Sequence, residues 1–118
     1  MAVVTGASAG IGRGTARVLA REGATVVVVA RREALLQSLA DELAAEGLER
    51  PLVAAGNLQD RAQLAELGRR VLERVGRVDI LVNNAGGSRP LAVDAADEAW
   101  DEAFSINFDA VRRLTQAF

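Results

Sequence analysis

The chain has 118 residues, half of them apolar, with a net charge of −2, which suits one packed domain. It contains no Cys and no His, so a disulfide framework and thiolate metal sites are excluded, and neither a conventional zinc or iron site nor any other metal is expected. Acids and arginines are interspersed, and the longest apolar run, Ala24 to Ala30, is too short for a bilayer. Neither a nucleic-acid footprint nor a membrane segment is read, and a cytoplasmic protein is expected.

The first strand is expected over Ala2 to Thr5, running straight into Gly6, Gly10 and Gly12. A helix follows from about Ile11 to Glu22, with Ile11, Val18 and Leu19 on one face and Gly23 ending it. Thr25 to Ala30 is a β-branched run, the pattern of a strand buried on both faces of a parallel sheet. A second helix, about Arg32 to Glu46, carries Leu36, Leu39 and Leu43 at helical spacing and stops at Gly47. Pro51 to Ala55 reads as a third strand. Asp60 caps a third helix with Leu64, Leu67, Val71, Leu72 and Val75 as its apolar stripe, ending before Gly76. Asp79 to Asn83 is the fourth strand, followed by a loop from Asn84 to Leu91. The last helix begins near Asp97, where acids suit its positive end, and is still running at Phe118.

Strands alternating with helices require right-handed crossovers and a doubly wound parallel sheet, whose ligands bind at the carboxyl ends of the strands. At the first such end, glycines between strand and helix let the backbone approach an anion, and the helix N-terminus offers unpaired N–H groups. With Ser8 adding a hydroxyl, this turn reads as a pyrophosphate seat. At the second end stand Arg31 and Arg32, where an acid would favour the ribose of NAD and a base the 2′-phosphate of NADP. NADP is therefore expected over NAD. At the third end, Asn57 and the following Leu58 admit two readings, an adenine reader or a turn-forming Asn after Gly56. At the fourth, Asn83 and Asn84 lead into Ala85, Gly86 and Gly87, small residues that permit close approach to a ligand.

Thr5-Gly6-Ala7-Ser8-Ala9-Gly10-Ile11-Gly12 together with Asn83-Asn84-Ala85-Gly86 resembles the short-chain dehydrogenase/reductase family over essentially the whole chain. The resemblance implies a Rossmann-type doubly wound sheet, here with four strands and four helices. It implies that Gly6, Ser8, Gly10, Ile11 and Gly12 line the pyrophosphate, that Asn83, Ala85 and Gly86 border the riboses, and that Arg31 or Arg32 meets the 2′-phosphate. Two departures stand out: Asn57 occupies a position usually held by Asp, and Ala9 replaces the basic residue that often marks NADP binding.

In the last helix, Trp100, Phe104, Asn107, Val111, Leu114 and Phe118 recur at steps of four and three, so Asn107 interrupts an apolar stripe. A buried amide needs a partner, since leaving it unpaired costs about 1–3 kcal/mol. By resemblance Asn107 matches the active-site asparagine of the family's proton relay. The family's Ser and Tyr-x3-Lys would lie further along, and this chain has no Tyr and no Lys. Its fourteen basic residues are all Arg, a poor proton donor at neutral pH. The expectation is the dinucleotide-binding half of an oxidoreductase acting on a small carbonyl or alcohol, a piece of a longer protein broken within the last helix and inactive alone. On that expectation strand four is an exposed edge and the last helix lacks cover, favouring a dimer or tetramer. The alternative is a complete, non-catalytic nucleotide-binding or interaction module. Gly87-Ser88-Arg89-Pro90 is expected to border the substrate pocket.

Overall fold

The computed structural model describes residues 1–87 and 90–118. Four parallel strands, β1 (Ala2–Thr5), β2 (Val26–Ala30), β3 (Leu52–Ala55) and β4 (Ile80–Val82), form one sheet in the order β3-β2-β1-β4. Val3 pairs with Val27 and Leu81, and Val28 with Val53, so β1 and β2 lie inside and β4 is an edge. The winding reverses direction at β1, which places the crevice at its carboxyl end.

The valine run is explained by which face each residue serves. Val4, Val26 and Val28 pack against α1 (Gly10–Arg21) and α2 (Glu33–Ala45), chiefly Ala16, Ala20, Leu36, Leu39 and Leu43. Val3, Val27 and Val29 face α3 (Arg61–Val75) and the last helix, through Leu64, Leu67, Val71, Ala110 and Leu114. Each fully buried Val or Leu contributes about 1.5–3 kcal/mol, so alternation onto two covered faces makes every position of these strands apolar. Asp60 caps α3, accepting from the Ala62 and Gln63 N–H groups at 2.9 and 3.0 Å, and those bonds hold its carboxyl below its usual range.

Two faces differ from the periodic reading. In α1 the buried positions are Gly12, Ala16 and Ala20, while Ile11 is 81% exposed and Val18 58%. Small residues at four-residue steps let α1 sit close on β1, and that approach turns Ile11 and Val18 outward, with only Leu19 of the expected face packed on the core. The last helix is not uniform. It comprises α4 (Asp97–Phe104), a wide π-type turn over Ser105–Asp109, and α5 (Ala110–Ala117). The Ala110 N–H donates to Ser105 O, five residues back. That extra residue breaks the phase of the stripe. Leu114 is buried and Val111 and Phe118 half-buried, but Trp100, Phe104 and Phe108 are exposed. Beside the wide turn, Asp109 meets Arg113 at 2.9 Å, Arg112 at 2.8 Å and Arg61 of α3 at 3.3 Å. The Arg113 and Arg112 hydrogen bonds bring its carboxyl down to about 2.

Candidate functional site

The four strand ends converge on a cleft of about 580 Å³, bounded on its far side by α4 and the wide turn. Gly6 and Ser8 line it from the first end, Arg31 and Arg32 from the second, Asn57 and Leu58 from the third, Ala85 and Gly86 from the fourth. Gly10, Ile11, Gly12, Asn83 and Asn107 do not line the cleft. Ala9 of the glycine motif and Asn84 and Gly87 of the fourth strand end also line it, as do Ala30, Gly56, Gln59, Leu91, Ala99, Glu102, Ala103 and Ile106, which no motif singled out. The last four sit on one side of α4 and its wide turn, a placement set by tertiary packing and invisible to strand-end reasoning. Gln59 lies two residues past Asn57 and was within reach of the same argument. Ser88 and Arg89 lie outside the described residues.

The first end is built around Thr5, which is 1% exposed. Its hydroxyl donates to Val82 O at 3.1 Å and accepts from the Asn84 and Ala85 N–H groups at 3.0 and 2.9 Å. One donor and two lone pairs are thereby fully used, and the end of β4 is tied to the glycine turn. Asn84 Nδ2 adds a bond to Thr5 O at 3.0 Å. Thr5→Val keeps the shape and strands the part-buried Ala85 N–H, while the Asn84 N–H keeps its bond to Val82 O at 3.0 Å. A loss of about 1–3 kcal/mol for the stranded group is expected in denaturant midpoints; an unchanged midpoint contradicts the hub.

Gly12 stands behind this turn. A Cβ there would lie 2.4 Å from Asn84 Nδ2 and 2.5 Å from Gly6 O, so its role is close packing of α1 on the turn. The helix begins at Ala9 with no capping side chain and no acid in its first turn, leaving its N-terminal donors for an anion. Twenty residues after Gly12, Arg32 Nη2 donates to Ser8 Oγ at 3.2 Å, bridging the first two strand ends. Arg31 makes no hydrogen bond or ion pair among the described residues.

The third end favours the turn-forming reading of Asn57. Its Oδ1 accepts from the Gln59 N–H at 3.1 Å, an Asx-type turn, and its own N–H donates to Gln63 Oε1 at 3.1 Å. At the fourth end, Asn83 Nδ2 turns away from the cleft to Thr115 Oγ1 at 3.2 Å. Asn107 is exposed, not buried as its place in the apolar stripe suggested, because the wide turn shifts the phase of the helix; its amide is nonetheless fully partnered. Nδ2 donates to Gly87 O at 2.7 Å and Ala103 O at 2.9 Å, and Oδ1 accepts from the Gly87 N–H at 3.2 Å. A Cβ on Gly86 would lie 2.8 Å from that oxygen. Asn107 is thus a clamp between the wide turn and the loop after β4.

A parallel sheet of order β3-β2-β1-β4, covered by helices on both faces and with a cleft at its carboxyl ends, defines a Rossmann-type protein. The sequence profile of the family described as short chain dehydrogenase matches residues 1–118, and the chain belongs to that family. It is 41% identical over 118 residues to the 3-oxoacyl-(acyl-carrier-protein) reductase FabG of Thermotoga maritima, covering 97% of this chain and 46% of that one. A metagenomic short-chain oxidoreductase in complex with NADP superposes with a TM-score of 0.92 at 38% identity, covering 99% of this chain and 53% of the other. The F189W actinorhodin polyketide ketoreductase with NADPH gives 0.88 at 38% identity, covering 98% and 44%. The chain spans about half the length of the curated relatives it matches.

Proposed function

We propose that the chain is the dinucleotide-binding part of an NADP(H)-dependent oxidoreductase acting on a small carbonyl or alcohol. One observation carries this reading: a single cleft has Ala9, the cap position of an α1 without a capping side chain, at one strand end and two arginines at the next, one without a partner among the described residues. The glycine turn would hold the pyrophosphate, Arg31 and Arg32 the 2′-phosphate, and Ala85 and Gly86 would border the ribose. The nicotinamide, when bound, supplies or accepts a hydride. Asn107 would keep the loop after β4 at the distance the ribose needs. The two solved relatives bearing NADP and NADPH support the same cofactor.

The 118 residues contain no Tyr and no Lys, so on this reading they bind cofactor and do not turn over substrate by themselves. The exposed aromatic face of Trp100, Phe104 and Phe108 supports association into an oligomer. Among the described residues no helix is long and apolar enough to cross a membrane.

Calorimetric titration with NADPH and NADH tests the reading. NADPH is expected to bind at least about 10-fold tighter, the worth of one charge-assisted bond. Equal affinity, or no binding of either, refutes it. A clear carbonyl-reductase rate from homogeneous 118-residue material refutes the claim of inactivity alone.

A further inference from the structure

The seam between α1 and α2 carries a ladder of ion pairs. Glu42 takes Arg13 at 2.6 Å and Arg17 at 2.7 Å, and Glu46 takes Arg17 at 3.0 Å and Arg21 at 2.7 Å. Exposed pairs of this kind are individually weak. Arg13 differs from the other rungs. Its side chain is 21% exposed against 52% for Arg21, and it also donates to the main chain, Nη1 to Leu35 O at 3.0 Å. Nη2 additionally reaches Ser38 Oγ at 3.4 Å.

The two ends of this contact matter. Arg13 directly follows Gly12, whose packing on Gly6 O fixes the start of α1. Leu35 lies in the first turn of α2, where its N–H and that of Leu36 donate to Arg32 O at 3.2 and 3.4 Å. Arg32 supplies no side-chain cap there, and cations at a helix N-terminus oppose its dipole. That turn is anchored in the core by the fully buried Leu36 and carries Glu33 at its positive end, and Arg13 adds the side-chain contact that ties it to the start of α1.

We infer that Arg13 is a positioning residue that sets the distance between the pyrophosphate turn and the Arg31–Arg32 pair, and so governs selection of a 2′-phosphate without touching it. The inference rests on the NADP(H) reading above. A guanidinium suits the task because its planar fork serves a carbonyl, a hydroxyl and a carboxylate together, which an ammonium on a flexible stem does not. Selection is sensitive to such placement, because bidentate phosphate contacts tolerate errors of only about 0.5 Å.

The test compares Arg13→Gln and Arg21→Gln in the full chain, reading NADPH and NADH affinities by calorimetry and amide exchange across α2. Both variants remove an ion pair from the same seam. Arg13→Gln is expected to lower the NADPH-to-NADH affinity ratio about 5- to 10-fold and to speed exchange in the first turn of α2, a coupling of ordinary size. Arg21→Gln is expected to leave the ratio unchanged. Should Arg13→Gln fail to fold, Arg13→Lys keeps the charge with fewer directed donors and should show a smaller drop in the same ratio. If the parent prefers NADPH and Arg13 variants keep its ratio, or if Arg21→Gln lowers it equally, the positioning role is wrong and the NADP(H) reading stands. A parent that does not prefer NADPH overturns both.

Discussion

Gly12→Ala is expected to weaken cofactor binding at least about 10-fold and to destabilise the chain by about 1–3 kcal/mol, the usual cost of overpacking. The added methyl meets Gly6 O at 2.5 Å, a backbone atom of the turn itself, and Asn84 Nδ2 at 2.4 Å, an amide held by Thr5 O. Neither neighbour is the free end of a flexible side chain. Relief must come from α1 moving off the turn, which displaces the N–H groups proposed to meet the pyrophosphate, or from Asn84 giving up its bond. Gly14, two residues along the same helix, has nothing within 4 Å of where a Cβ would stand. There Ala replaces a poor helix former, and Gly14→Ala should stabilise by up to about 1 kcal/mol. Thermal or urea melts of the two variants, with NADPH titrations, check the pair. Shifts of the same sign and size in both would show that packing of α1 on the turn is not what Gly12 provides.

That contrast also shows which parts of the molecule were readable from the chain alone. The strands were legible because a strand buried on both faces is a near-continuous apolar run, and the β-branched Val26 to Val29 supplies one with no competing helical period. The helix ends were legible where Asp60 caps α3 and where Gly23, Gly47 and Gly76 take positive φ. The burial of α1 was not, because Gly12, Ala16 and Ala20 carry little hydrophobic signal while Ile11 and Val18 carry much. A close helix–sheet contact selects for small size, which a hydropathy pattern weighs as weakness. The last helix misled for a different reason. Extrapolating 3.6 residues per turn through Ser105–Asp109 puts Trp100 and Phe104 in line with Leu114, and the wide turn takes them out of it. For the cleft, glycines and arginines at strand ends were visible as motif. Ile106, Ala103 and Glu102 reach it only because the last helix crosses its rim, and Asn83 leaves it because Thr115 lies on that helix.

Arg31→Asp combined with Arg32→Ala is expected to invert the cofactor preference. Charge-assisted hydrogen bonds to a phosphate are worth about 1.5–3 kcal/mol each, so losing them should weaken NADPH by about 10- to 100-fold per bond. The new carboxylate repels a 2′-phosphate and offers an acceptor to the free 2′-hydroxyl of NADH, so NADH should hold its affinity or gain. The two positions also separate in single variants. Arg31 has no partner among the described residues, so Arg31→Asp changes the phosphate contact and little else. Arg32 donates to Ser8 Oγ across the mouth of the cleft. Arg32→Ala therefore releases the pyrophosphate turn as well, and should cost both cofactors something while costing NADPH more. Added salt screens exposed charges over about 10 Å at 0.1 M, so the parent's preference for NADPH and the double variant's discrimination against it should both shrink as salt rises. If the double variant loses NADPH and NADH equally, the arginines serve the turn and do not read the 2′-phosphate; if only NADPH suffers, the second strand end is where the chain chooses its cofactor.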